Sequence, residues 1–275
     1  MNPTKKILLT LGKILLAVAF WGGLWILVSS RVGIDLIFPS PKVVLRELWL
    51  LLSNQSESLT RYGFTYNFWH VTLTSLLRVI WGVLVSMVLG CLLGYLTSVS
   101  RLLNTLITPA LSAVKATPVA SFIILAMLWL EKSILPVFIT ALIVIPIVWA
   151  NVSEGIRSVD QGLSEVASLY RFSLSKRLTR LYLPSVAPYF LAACQSALGM
   201  AWKASVAAEI LAVPEYSIGT EIFLSKQYMM PETLFAWTLW VILLSLIIEK
   251  VFVLLLKRLA GNFRMVPKGE NHAEA

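Results

Sequence analysis

Apolar runs of bilayer-crossing length recur along the whole chain, and this repetition constrains the fold more than any other feature. The runs lie at about 7–28, 71–97, 102–130, 134–150, 187–213 and 234–256. About 20 apolar residues in a helix cross a hydrocarbon layer of ~30 Å. Within that layer backbone polar groups need partners inside the protein, which a helix supplies from its own segment. Composition agrees: 58% of the 275 residues are hydrophobic and 13% charged, where a soluble domain carries about 25% charged residues. A water-soluble enzyme is excluded on these grounds. The expected fold is all-α, a polytopic membrane protein whose single domain covers 1–275 with six transmembrane helices.

The first run follows Lys5 and Lys6 and contains Ala17-Val18-Ala19, which resembles a signal-peptidase site. It continues to Val28, longer than the apolar core of a signal peptide, and reads as a retained span. Starting from a cytoplasmic N-terminus, inward segments carry Lys5, Lys6, Arg101, Arg157, Arg171, Lys176, Arg177, Arg180, Lys257, Arg258, Arg264 and Lys268. Outward segments carry Arg31, Lys42, Arg46, Arg61, Lys132 and Lys226, balanced by Asp35, Glu47, Glu57, Glu131, Glu215, Glu221 and Glu232. Positive residues concentrate on the cytoplasmic side of membrane proteins. Both termini are therefore expected on the cytoplasmic side. The net charge of +9 is read through this distribution and not as a sign of nucleic acid.

Catalytic and metal-binding machinery is not expected. Cys91 and Cys194 each fall within an apolar run without metal-type spacing, and His70 and His272 supply neither a base for a nucleophile nor a metal cluster. The lone Gly-Lys pair, Gly12-Lys13, has Ile7 where a phosphate-binding loop needs glycine, so if transport here uses ATP, another polypeptide hydrolyses it.

Gly82, Ser86, Gly90 and Gly94 recur every four residues, a ridge that lets a second helix approach closely. Pro109 and Pro118 interrupt the third run, and Pro136 and Pro146 the fourth. The carbonyls they free are tolerated at membrane depth only against protein or a water-lined path, so these spans either line something or bend to pack around it. Phe64 to Trp69 reads as lying along the outer membrane surface, and Trp21, Trp25, Trp237 and Trp240 as interfacial or packing aromatics.

Residues 160–184, between the fourth and fifth runs, are the most informative. Asp160 is a helix cap, after which Leu163, Val166, Ala167 and Tyr170 fall on one stripe of a short helix. Ser173 caps a second helix with Leu174, Leu178 and Leu181 along one side and basic residues on the other. Pro184 is expected to stop the segment and start the next span. Two amphipathic helices too polar for lipid need a surface to cover their stripes: the bundle, the headgroup layer or a partner protein.

This segment resembles the Glu-Ala-Ala loop of binding-protein-dependent ABC-transporter permeases. Glu165 and Ala167 match the start of that pattern, and Leu181, Leu183 and Pro184 fall on its closing Ile-x-Leu-Pro after the same gaps. Val166 replaces the middle Ala, Leu181 replaces Ile, and Arg171 replaces a Gly. Gly at a turn takes a left-handed conformation that costs other residues roughly 1–2 kcal/mol. Either the turn stays right-handed and bends nearer Ser173, or the docking geometry differs in detail. The resemblance implies that Glu165, Ala167, Tyr170, Arg171, Leu181, Leu183 and Pro184 couple the permease to an ATPase subunit. Phe38-Pro39-Ser40-Pro41, the stretch from His70 to Arg78, Ala201-Trp202-Lys203 and Ala208-Glu209 are similar to the nitrate, sulfonate and taurine group. Together the similarities extend from about residue 36 to residue 222. They imply two permease copies, as homodimer or heterodimer, two ABC ATPase subunits that bind the ATP, and an extracytoplasmic solute-binding protein. No cofactor is implied in this chain.

A charge inside a span costs at least about 2.5–3.5 kcal/mol and usually faces the bundle interior. Arg78 reads as a tie between the outer end of the second span and a neighbour, and Glu209 as a gate or a hydrogen-bonded cap near the end of the fifth. Gln195, Ser196, Gly199 and Lys203 share one face of the fifth span. That face either lines the translocation path and favours an anionic passenger, or holds Lys203 against a carbonyl or carboxylate within the bundle. Two rival functions remain: an ion-coupled secondary transporter, which would favour inverted repeats and paired intramembrane carboxylates, and an ABC importer of a neutral vitamin precursor.

Overall fold

The computed structural model describes residues 3–61 and 64–262, so Arg264, Lys268 and His272 lie outside the described residues. The chain forms α1 (Pro3–Val32), α2 (Pro41–Leu52), α3 (Phe68–Val99), α4 (Arg101–Ala116), α5 (Val119–Ala126), α6 (Leu135–Arg157), α7 (Gln161–Leu169), α8 (Leu174–Arg177), α9 (Leu183–Ala212), α10 (Ile218–Gln227) and α11 (Pro231–Asn262). A two-residue antiparallel pair, β1 (Thr60–Arg61) with β2 (Phe64–Thr65), is the extended structure among the described residues. The all-α class expected from the apolar runs is the class observed.

Among the described residues four helices are long and apolar enough to cross a membrane: α1, α3, α6 and α11. The bent pair α4 and α5 makes a fifth if counted as one span. α9 is as long as α1, at 30 residues, but Gln195, Ser196, Lys203, Ser205 and Glu209 make it more polar. Large apolar side chains stand uncovered along these helices, Leu16 at 75%, Leu106 at 64% and Leu254 at 62% exposure. Acyl chains can cover such side chains where water would penalise them.

Two of the expected boundaries shift. The third apolar run is not one helix, because α4 and α5 meet at Pro118 with a 103° bend. Proline cannot donate and excludes helical geometry from the residue before it, and Thr117 is extended (ψ 134°). Pro109 and Pro146, by contrast, lie inside α4 and α6. At the other boundary, Pro184 does not stop the segment before it. α8 continues through a wide turn, Leu178–Tyr182, into α9, with the Leu183 N–H donating to the Leu178 carbonyl five residues back. The proline ring crowds a carbonyl four residues earlier, and the wider turn gives it room.

The chain forms two compact units. The first comprises Met1–Arg78, Ala126–Leu135 and Val206–Leu243. Its core is aromatic: Phe68 stacks on Trp237 at 4.9 Å and meets Trp240 at 5.2 Å, and the Trp240 Nε1 donates to Thr72 Oγ1 at 3.1 Å. Phe68 is thus a buried anchor and does not lie along the membrane surface. α2 opens with Pro41 in its first turn, where the missing donor costs nothing, and buries Val44, Leu48 and Leu51. Its Glu47 accepts from Ser56 at 2.5 Å and Thr233 at 3.2 Å.

The second unit comprises Val79–Leu125, Pro136–Ser205 and Leu244–Ala275, and the small-residue ridge of α3 organises it. A Cβ on Gly82 would lie 2.6 Å from Thr140 Cβ, one on Gly90 2.6 Å from Val148 Cβ, and one on Gly94 2.8 Å from Val152 Cγ1. Only glycine allows this approach. The partners on α6 advance in step with those on α3, so the two helices run parallel here, and the chain between them has to return.

Candidate functional site

The segment from Asp160 to Pro184 folds from local signals. The Asp160 side chain accepts from the Leu163 N–H at 3.2 Å and caps α7. Ser173 does the same for α8, accepting from the Lys176 N–H at 3.4 Å. Between them α7 closes with two reverse bonds: the Phe172 N–H donates to Ala167 O at 2.9 Å and the Arg171 N–H to Ser168 O at 3.0 Å. This paired closure places its penultimate residue in the left-handed region, usually as glycine. Arg171 has φ +48°, so the turn keeps the left-handed form with arginine in it, and the right-handed alternative is excluded. Arg177 Nη2 then donates to Ser168 Oγ at 2.8 Å, fastening α8 against α7.

The stripe of α7 is almost uncovered. Ala167 is buried, yet Leu163 and Val166 are exposed, Tyr170 is 71% exposed and Leu169, beside the stripe, 81%. Glu165, Arg171, Leu183 and Pro184 are exposed and Leu181 is half-buried. Ser164, Glu165, Ser168 and Leu169 line an open cavity. The segment thus brings Glu165, Tyr170 and Arg171 together on one short helix and its cap, with Leu181, Leu183 and Pro184 in the rod that follows.

On α9, Gln195, Ser196 and Lys203 are exposed, and a Cβ at Gly199 would meet nothing within 4 Å. The other side buries Ala193, Cys194, Ala197 and Ala201, and Trp202, one residue before Lys203, is buried as well. Among the described residues no hydrogen bond or ion pair holds Lys203.

The first unit contains a polar knot. Glu209, fully buried, accepts from Ser75 Oγ at 2.8 Å and from the Gly219 N–H at 3.2 Å, and pairs with Arg78 Nη1 at 3.3 Å. Arg78 also donates to the carbonyls of Glu215 (2.9 Å) and Tyr216 (3.3 Å). Ser75 Oγ in turn accepts from the Ile218 N–H at 2.9 Å. One carboxylate and one guanidinium thereby fasten the start of α3, the end of α9 and the first turn of α10. A Cβ at Gly219 would come within 2.5 Å of the Ile210 amide nitrogen. Val213 (φ +51°) and Tyr216 (φ +49°) flank this connection in left-handed geometry. Such geometry is a genuine outlier for a β-branched residue and persists only where surrounding structure enforces it. Among the described residues no three of His, Cys, Asp and Glu group to hold a metal.

A protein family described as the binding-protein-dependent transport system inner membrane component matches residues 86–261, which include the loop and all of α9. The chain belongs to this family. Similar relatives are the bicarbonate transport system permease protein CmpB of Synechococcus elongatus, 31% identical over 56% of this chain and 55% of the relative; the nitrate import permease protein NrtB of the same organism, 26% identical over 68% and 67%; and the putative aliphatic sulfonates transport permease protein SsuC of Bacillus subtilis, 28% identical over 59% of each. The chain spans about half the length of the first relative and about two thirds of the second. The match is to the nitrate, sulfonate and bicarbonate branch of the binding-protein-dependent permeases. Within that branch, the knot is what sequence reasoning missed. In the sequence Arg78 and Glu209 each stand alone, because 131 residues separate them and no local pattern links them.

Proposed function

We propose that this chain is the membrane-spanning permease subunit of an ATP-driven, binding-protein-dependent importer of a small oxyanion. Family membership supports the ATP-driven reading over an ion-coupled one. The relatives' names, bicarbonate, nitrate and aliphatic sulfonates, favour an anionic passenger over a neutral vitamin precursor. The observation that carries the proposal is the uncovered apolar stripe of α7 at the place where this family has its Glu-Ala-Ala loop.

In this reading two permease copies assemble with two ATPase subunits and an external solute-binding protein in the bacterial plasma membrane. α9 is the sixth span and both termini are cytoplasmic. The ATPase holds the nucleotide, and this chain performs no covalent chemistry. Leu163, Val166, Leu169 and Tyr170 insert into the ATPase surface, with Glu165 and Arg171 at the rim and Leu181, Leu183 and Pro184 passing the motion into α9. Because α8 and α9 form one rod, displacement of the loop is transmitted along the helix that carries Gln195, Ser196, Gly199 and Lys203. Those residues line the translocation path, where the unpaired Lys203 ammonium attracts the anion.

Co-purification tests the proposal. The wild-type chain brings down an ATPase, and deletion of 164–180 releases it while the spans remain in the membrane. Retention of the ATPase by the deletion variant would overturn it. Lys203→Gln should raise the KM for the anion, and an unchanged KM and rate remove Lys203 from the path.

A further inference from the structure

α4 carries a polar stripe. Arg101, Asn104, Thr105, Thr108, Ser112 and Lys115 stand at offsets of 3, 4, 7, 11 and 14 from the first residue, and all six fall within about 100° of the helix circumference at 100° per residue. The other ten positions hold Leu, Ile, Val, Ala and Pro. Arg101, Thr105, Ser112 and Lys115 are exposed, and Asn104 and Thr108 are half-buried, so this chain does not cover the stripe. The Thr108 hydroxyl donates to Asn104 Oδ1 at 3.0 Å along it. At its far end Lys115 Nζ lies 5.3 Å from the centre of the Trp149 ring, whose Nε1 donates to Thr97 Oγ1 at 2.8 Å. The stripe ends two residues before the Thr117–Pro118 break.

An amphipathic helix can lie flat in the headgroup layer, but the parallel course of α3 and α6 argues against that for α4. From Gly82 to Val99, α3 rises about 25 Å at 1.5 Å per residue, and the chain has to make that distance back before α6. α5, with 8 residues, covers about 12 Å and bends 103° away. α4, with 16 residues and about 24 Å of length, is the one helix in this stretch long enough for that return, which takes its polar stripe through the membrane. Polar side chains at that depth face protein or water. The stripe carries two cations and no carboxylate.

Resting on the permease reading, we infer that the polar stripe of α4 lines a water-filled stretch of the translocation path and that Lys115, poised on Trp149, is an anion-recognising residue within it, separate from Lys203. The Trp149 face holds the ammonium without neutralising it, so its charge remains available to a passing oxyanion.

The test is thiol labelling of the full chain in native membranes, with Cys91 and Cys194 changed to Ser. In that background Thr108→Cys and Ser112→Cys react with small charged methanethiosulfonates, and Leu106→Cys on the apolar side does not. Corrected for their rates on a free thiol, the anionic sulfonatoethyl reagent outpaces the cationic trimethylammonium reagent about tenfold at Ser112→Cys, as a focused positive field requires. Adding Lys115→Gln brings the ratio toward one, and adding Lys115→Arg retains it. Unreactive thiols at both stripe positions would mean that protein or lipid covers the stripe. A preference for the cationic reagent would mean that it faces anionic headgroups. Either result, or a ratio that Lys115→Gln leaves unchanged, overturns the inference. Failure of the wild type to co-purify an ATPase sinks the permease reading instead, and leaves the labelling ratio readable.

Discussion

The knot around Glu209 and the loop from Asp160 to Pro184 hold the same kinds of charged residue and use them in opposite ways. In the knot, Glu209 has three donors and Arg78 three acceptors, all from the same chain. In the loop, Leu163, Val166, Leu169 and Tyr170 are exposed, and the hydrogen bonds serve only to shape the turn that presents them. Polar groups satisfied internally stabilise the chain itself. Apolar surface left open contributes only when something covers it. Substitutions in the two regions should therefore separate folding from association.

The largest effect is expected from Arg78→Ala, which strips the fully buried Glu209 carboxylate of its counter-charge. Removing one partner of a buried pair costs about 3–5 kcal/mol, to be read as a lower unfolding midpoint of the purified chain in detergent. A midpoint equal to wild type would break the contrast on the knot side. Gly219→Ala comes next, at about 1–3 kcal/mol for overpacking, since the new Cβ meets helix backbone that cannot yield. Its expression alongside Gly199→Ala, where the space is open, makes an internal control.

On the loop side, Leu169→Asp with Tyr170→Ala should weaken ATPase binding by about 2 kcal/mol, roughly thirtyfold. The unfolding midpoint should stay within about 0.5 kcal/mol of wild type, as for a surface change. Undiminished ATPase capture would show that the exposed stripe is not the docking face. The smallest effect is Arg171→Gly, which relieves left-handed strain of about 1 kcal/mol. It should slow hydrogen exchange at the Phe172 amide, and faster exchange would mean that the arginine side chain itself supports the turn.

Much of this is legible in the sequence. The caps at Asp160 and Ser173, the stripe of α7 and the glycine ridge of α3 all act over a few residues, where helical spacing reports them directly. The loop's resemblance to the Glu-Ala-Ala pattern led to the family. Other features were hidden for identifiable reasons. Pro184 obeys the rule for a helix stop, but a turn bonded five residues back lets the rod continue. The charge of Lys115 disappears in the average of an apolar run, although the angular placement of its five companions could have shown the stripe. The sequence leaves the state of Arg171 open because the cost of a left-handed arginine is comparable to the hydrogen bonds of the helix closure that impose it.

The sequence by itself determined the solvent and the local architecture: apolar length sets the membrane, and caps and spacing set where helices begin and which face is polar. Tertiary structure alone decided which polar groups meet and which surfaces stay open. Glu209 found Arg78, the ridge of α3 met α6 in parallel, and the stripes of α7 and α4 were left uncovered. Pairing across long separations depends on how whole helices pack, and no short stretch of residues carries that information.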